Sequence, residues 1–241
     1  MGIRLTPQSI PPSDALSDAA ILSFAPRSYW KSTPRRPTER GILSDYQHAL
    51  SYTCKRFPSS NIILYGHSLG GAATVCLAEQ LRDIDKYRNV KGMILENPFA
   101  SIPAMVKALY PQRWLPYHYL GGFAFDRWDA VSAMARAQID QTSLLHRLSR
   151  SMLLVLSKKD EVVPNNQGLA IFEAATQDHQ TPANSEVGQE GRKLVIMPSA
   201  LHENAWRERQ WRTEVETYIR SIQQGPPLQR KGNAISVLLP Y

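Results

Sequence analysis

Cysteine is nearly absent: 241 residues contain two, Cys54 and Cys76. Two thiols cannot build a disulfide scaffold or a cysteine-based zinc site. No apolar run approaches the roughly 18 residues that a spanning helix needs. Residues 1–16 lack the basic start and apolar middle of a secretory signal. These absences predict a soluble globular chain in a reducing compartment, cytoplasmic or associated with a membrane surface. What is present is ordinary for a folded domain: 43% hydrophobic residues, 9% aromatic, with five Trp and ten Tyr. That composition excludes an intrinsically disordered chain. The net charge is +7, yet the basic residues are scattered. The densest run, residues 31–40, sits among prolines without interleaved aromatics, so a nucleic-acid partner is not expected.

The pattern along the chain alternates strands with helices. Residues 1–18 are rich in Pro, Ser and Asp and irregular. Short apolar runs at 20–24, 61–65, 90–95, 152–156 and 194–197 read as buried strands. Helical patterns at 41–57, 70–81, 165–175 and 203–223 lie between or after them. Residues 101–150 hold helix-like pieces and many aromatics (Tyr110, Trp114, Tyr117, Tyr119, Phe123, Phe125, Trp128), which predicts a helical insertion over the sheet. The expected division is an irregular segment at 1–18, an α/β domain at 19–224 and a tail at 225–241. Such alternation implies βαβ crossovers and a mainly parallel sheet flanked by helices. Ligands then sit beyond the carboxyl ends of the strands.

Three strand ends carry chemistry. After the second strand, Gly66-His67-Ser68-Leu69-Gly70 fits G-x-S-x-G between a strand and a helix. Small neighbours let the helix start pass close behind the serine, and the helix N-terminus aims free N–H groups at it. After 152–156 comes Lys158-Lys159-Asp160-Glu161, where Asp160, with Glu161 as alternative, can orient a histidine. After 194–197 comes His202, which can instead cap the following helix; the other five histidines are worse placed. A serine hydroxyl needs a neighbouring imidazole to take its proton, and the imidazole needs a carboxylate. Ser68, Asp160 and His202 fall in the chain order of nucleophile-elbow hydrolases. Nothing in the pattern calls for a cofactor or a metal.

At these residues the sequence resembles the α/β-hydrolase superfamily, in the branch of α/β-hydrolase domain-containing protein 13 and its fungal bud-emergence relatives. The matching stretches are Lys31-Ser32 with Thr38-Glu39-Arg40-Gly41, the elbow YGHSLGGAA, Glu96-Asn97-Pro98-Phe99-Ala100-Ser101-Ile102, the block DEVVP and His202-Glu203-Asn204-Ala205-Trp206. The resemblance implies Ser68 as nucleophile, Asp160 as acid, His202 as base and the Leu69 N–H as an oxyanion donor. It implies hydrolysis of carboxylic esters or thioesters of small molecules or lipids, with depalmitoylation of proteins in sibling branches, and peripheral membrane association as a partner.

Departures from the family are equally specific. No His-Gly pair, the start of the family's other oxyanion segment, occurs in the sequence. The family's Asp-Tyr-Arg-Gly-Tyr-Gly stands here as Ala25-Pro26-Arg27-Ser28-Tyr29-Trp30. The resemblance thus predicts an α/β-hydrolase fold truncated at its N-terminus, lacking the first three strands. One of those belongs between the strands at 20–24 and 61–65. A second reading follows, in which a weak or inactive relative serves as a binding protein. The tail at 234–239 is strand-like and is expected to cover an exposed edge. Met1-Gly2-Ile3-Arg4-Leu5-Thr6 fits a myristoylation pattern, which alone gives marginal anchoring.

Overall fold

A computed structural model describes residues 19–82, 85–112, 124–176, 191–223 and 235–240, the last segment by its backbone. The expectations for residues 1–18 and for Trp114, Tyr117, Tyr119 and Phe123 lie outside the described residues.

The first strand, β1 (Ala19–Phe24), leads through a loop to helix α1 (Glu39–Arg56). Thr38 caps that helix by accepting the Gly41 N–H at 3.2 Å. Glu39 stands in the first turn and Lys55 and Arg56 in the last, the charge order that complements the helix dipole. Strand β2 (Asn61–His67) then runs directly into α2 (Leu69–Gln80). Nine of the twelve α2 residues, from Gly70 to Ala78, are buried. A helix apolar all round belongs in a core, and α2 lies directly behind the sheet.

Strand β3 (Val90–Glu96) is followed by three short helices, α3 (Ile102–Leu109), α4 (Ala130–Ile139) and α5 (Leu144–Ser149). These are the described parts of the expected helical insertion. Its aromatics divide: Trp128 is buried, whereas Tyr110 and Phe125 are exposed. Strand β4 (Met152–Ser157), α6 (Asn165–Thr176) and β5 (Lys193–Met197) complete the alternation. The helix expected from residue 203 begins later. A 3-10 turn at Ala205–Arg207 comes first, and α7 (Arg209–Gln223) follows. Glu208 between them is extended, and its carboxylate accepts the Ser199 N–H.

All strands pair in parallel, in the order β1-β6-β2-β3-β4-β5, where β6 is Ile235–Pro240. The tail strand therefore lies in the sheet interior rather than on an edge, at the position the family resemblance left without a strand. It pairs along all six residues of β1 and along residues 61–64 of β2. An interior place satisfies two open rows of backbone groups where an edge place satisfies one.

Side chains alternate across the sheet. Leu22, Phe24, Ile62, Leu64, Leu95, Leu154 and Leu156 pack against a layer to which α1, α2, α4, α5 and α6 contribute. On the other face Ile63, Ile94, Leu153, Val155 and Val195 meet Trp211, Val215, Tyr218 and Ile219 of α7. This two-sided cover leaves the carboxyl ends of the strands as the open rim.

Candidate active site

Ser68 occupies the turn between β2 and α2 at φ 53° and ψ −119°. This left-handed backbone is unfavourable for a non-glycine residue by about 1–3 kcal/mol. The conformation is held from both sides: the Ser68 N–H donates to Glu96 O at 2.9 Å, and Ser68 O accepts from Gly71 N at 3.0 Å. Two glycines permit the close approach. A Cβ on Gly66 would stand 2.4 Å from Gly70 O, and one on Gly71 would stand 2.8 Å from Pro98 Cβ. Leu69 opens α2, so its N–H is among the first-turn donors without an intrahelical acceptor.

The end of β4 is tied to the end of β5 by Lys158 N to Met197 O at 2.8 Å and Lys159 N to Ala200 O at 3.1 Å. Asp160 follows. Its Oδ1 accepts the N–H groups of Val162 and Val163 at 2.8 and 2.7 Å. Its Oδ2 lies 2.7 Å from His202 Nδ1. Both side chains are almost wholly buried, at 6% exposure for His202 and 1% for Asp160. An ionised carboxylate is acceptor-only, so the proton on this side belongs to Nδ1 and the neutral ring presents Nε2 as an acceptor. Glu161, the other acid considered, serves the backbone instead, accepting the His202 N–H at 3.1 Å.

Sequence reasoning missed two further contributors. His67, the last residue of β2, donates its Nε2–H to His202 O at 2.8 Å, and its ring lies 4.7 Å from the His202 ring. Asn97, just past β3, has φ 46° and is buried. Its amide donates to His202 O at 2.8 Å and to Ser157 Oγ at 3.0 Å, while its Oδ1 accepts the Ser157 N–H at 2.7 Å. Sequence offered one signal for Asn97: an Asn before Pro at a strand end tolerates a left-handed turn. For His67 the strand–elbow position gave no sign of a partner 135 residues away.

Beneath this layer the buried Glu96 carboxylate accepts from Tyr65 Oη and from Trp211 Nε1, the latter at 2.7 Å. Burial, with Glu96 alongside, pushes the Tyr65 hydroxyl well above its ordinary value. The structure thus brings Asp160 and His202 into direct contact and sets Ser68 beside His67. Among the described residues, no hydrogen bond joins Ser68 to His202. Also among the described residues, no cluster of three metal-ligating side chains occurs, and no helix is long and apolar enough to cross a membrane.

No protein-family profile matches the chain. Individual proteins do. Protein bem46 of Schizosaccharomyces pombe is 29% identical over 174 residues, 71% of this chain and 51% of that protein. The α/β-hydrolase domain-containing protein WAV2 of Arabidopsis thaliana is 26% identical over 187 residues, 75% of this chain and 54% of the relative. The lysophosphatidylserine lipase ABHD12 of Danio rerio is 29% identical over 148 residues, 61% of this chain and 37% of the relative. The chain spans about half the length of the first two curated relatives. Among solved structures, an esterase from Pyrococcus furiosus superposes with a TM-score of 0.54 at 14% identity, covering 84% of this chain and 70% of the other. A parallel sheet covered by helices, a serine in a strained strand–helix turn and these likenesses agree: the chain has the α/β-hydrolase fold and is similar in sequence to Bem46 and WAV2.

Proposed function

We propose that the chain is a serine hydrolase of carboxylic esters or thioesters with lipid acyl groups, working through an acyl-enzyme on Ser68. The observation that carries this reading is the buried Asp160–His202 pair at 2.7 Å, whose histidine is held by His67, the residue before a serine in a left-handed turn. Ser68 Oγ attacks the acyl carbonyl carbon while its proton passes to His202 Nε2. Asp160 fixes the Nδ1–H tautomer and stabilises the imidazolium that forms. The tetrahedral oxyanion takes a hydrogen bond from the Leu69 N–H. Collapse expels the alcohol or thiol, which leaves with the proton from His202. Water, deprotonated by the same ring, then releases the acid and restores Ser68. Catalytic hydrogen bonds are often long in a free enzyme and tighten with substrate, which fits the lack of a Ser68–His202 hydrogen bond among the described residues.

His67 and Asn97 act as positioning residues, since both hold the His202 carbonyl. The lipid character of the substrate is supported by the lipase name of the zebrafish relative, and a lipid ester brings a membrane surface with it as partner. Loss of one oxyanion donor typically costs about 10²–10³ in turnover, which sets the scale of what the Leu69 N–H contributes.

The test is labelling by a fluorophosphonate probe. Folded wild-type protein is expected to be labelled, and Ser68→Ala and His202→Ala to lose the label. A folded wild-type chain that takes no label overturns the proposal in favour of a non-catalytic relative that binds a lipid or partner.

A further inference from the structure

The carboxyl-end rim of the sheet carries three well-separated exposed aromatics, each with a cation close by in the chain. Trp30 lies in the loop after β1 at 64% exposure, Phe125 before α4 at 96% and Trp206 after β5 at 49%. Because every strand is parallel, the loops after β1 and β5 leave the same edge of the sheet. The Phe125 segment is fastened to that edge too. Asp126 Oδ1 accepts the N–H of Glu39, the first residue of α1, and Glu39 Oε2 accepts the N–H groups of Arg127 and Trp128.

The display of Trp30 is built into its loop. Ser28 and Trp30 have φ of 65° and 47°, and these are the two positions where the family pattern carries glycine. A bulky residue there is a real backbone outlier, yet the loop is firmly held. Ser32 Oγ donates to Ala25 O at 2.7 Å, Ser28 N to Thr33 O at 3.1 Å, and the Arg27 fork grips Asp45 at 2.7 and 2.8 Å. The side chain meets solvent despite a backbone that would favour glycine.

The cations repeat the arrangement. Lys31 Nζ stands 5.4 Å from the Trp30 ring, Arg207 Cζ stands 5.2 Å from the Trp206 ring, and Arg127 is exposed two residues after Phe125. Arg35, Arg36 and Arg40 are exposed on the stretch that follows Trp30. The exposed carboxylate residues on the loops after β4 and β5 are Glu161, which accepts the His202 N–H, and Glu203. Aromatic rings beside Lys and Arg are the side chains that settle at a lipid headgroup layer. β1 and β5 are the outermost strands, five strand spacings apart, or about 24 Å at about 4.8 Å each. Contacts offered at both ends of the sheet suit an extended surface rather than one small ligand.

We propose that this rim docks on an anionic lipid surface through Trp30, Phe125 and Trp206, with Lys31, Arg127 and Arg207 beside them meeting the lipid phosphates. The inference rests on the lipid-ester reading in one respect: docking this edge turns the Ser68 turn toward the bilayer that holds the substrate.

The experiment is vesicle co-sedimentation with the full chain. Ser68→Ala is used throughout, so that binding is read without hydrolysis. Vesicles of phosphatidylcholine with phosphatidylserine are expected to bind the protein, and phosphatidylcholine alone to bind it far less. The triple change Trp30→Ala, Phe125→Ala, Trp206→Ala is expected to weaken binding at least about tenfold, because binding scales with buried apolar area. Trp30→Phe with Trp206→Phe should keep binding but reduce quenching of tryptophan fluorescence by brominated acyl chains. The proposal is overturned if folded protein ignores anionic vesicles at low salt. It is equally overturned if the triple variant binds like its parent, or if quenching is unchanged in the double Phe variant. Failure of fluorophosphonate labelling with vesicle binding intact defeats the hydrolase reading alone.

Discussion

Ser68 and Asn97 are where single residues decide most. Each is a non-glycine residue at positive φ, 53° and 46°, and each stands directly after a central strand. Such strain persists only when surrounding contacts over-determine it. For Ser68 those contacts are Glu96 O and Gly71 N. Ser68→Gly relieves the strain but adds glycine's chain entropy, so urea unfolding should show stability unchanged or raised by about 1 kcal/mol. Fluorophosphonate labelling should vanish in the same protein; a clear loss of stability would show that the turn is unstrained. Asn97 makes three side-chain hydrogen bonds to Ser157 and His202. Asn97→Ala strips a buried network, which should cost about 2–4 kcal/mol by urea unfolding. With His202 less firmly held, kcat should fall about 10–100-fold while KM changes little. A fall in KM-based affinity with kcat intact would place Asn97 in substrate contact instead.

Among the elements, β6 has the largest leverage. β1 has no other strand partner among the described residues, since it pairs with β6 alone. Removing residues 234–241 therefore detaches β1 as well and opens the edge of β2. Ten register pairs disappear with it. At about 1 kcal/mol net per backbone hydrogen bond, the loss is on the order of 5 kcal/mol or more. Hydrogen exchange should show Ala19–Phe24 losing protection together with Ile62–Leu64, while Met152–Ser157 keeps its own. Protection of β1 that survives the deletion would rule out this pairing. Most elements were legible in the sequence because their signals are local: the apolar runs of β2, β3 and β4, and the small-residue run of α2 after the elbow. Ends moved by a residue or two, as at α1, where the Thr38 cap starts the helix at Glu39. The place of β6 was not legible, because strand pairing is set by which backbone rows lie open and not by the strand's own pattern. The α7 start was missed for a related reason, since Glu208 leaves the helix to hold Ser199 N across a loop.

The whole molecule shows what sequence gives of a site and what it withholds. Spacing after strands was enough to nominate Ser68, Asp160 and His202, and the structure joins the last two. The framework around them, His67, Asn97 and Glu161, comes from three different strand ends, and its contacts to His202 were not legible because they join residues far apart in the chain. The same folding also buries weak acids throughout the core, which sets how stability responds to alkali. Burial pushes the Cys54 thiol up to about 11 and the Cys76 thiol up to about 12. It likewise raises the hydroxyls of Tyr46, Tyr65 and Tyr218. In an unfolded chain these groups lose protons near about 8.5 for thiols and about 10 for phenols. The folded state keeps those protons longer, so above these values the unfolded state binds fewer protons and stability falls with pH. Lys91 and Arg147, whose pKa values burial lowers, work in the opposite sense but are two groups against five. The urea midpoint should hold up to about pH 8.5 and decline steadily from about pH 9 upward. Cys54→Ala with Cys76→Ala should start from a lower midpoint but decline less over the first part of that range, because the thiols titrate first. A midpoint that stays level or rises through this range would mean that these thiols and phenols meet solvent in the native state, which the packing of α1, α2 and α7 against the sheet forbids.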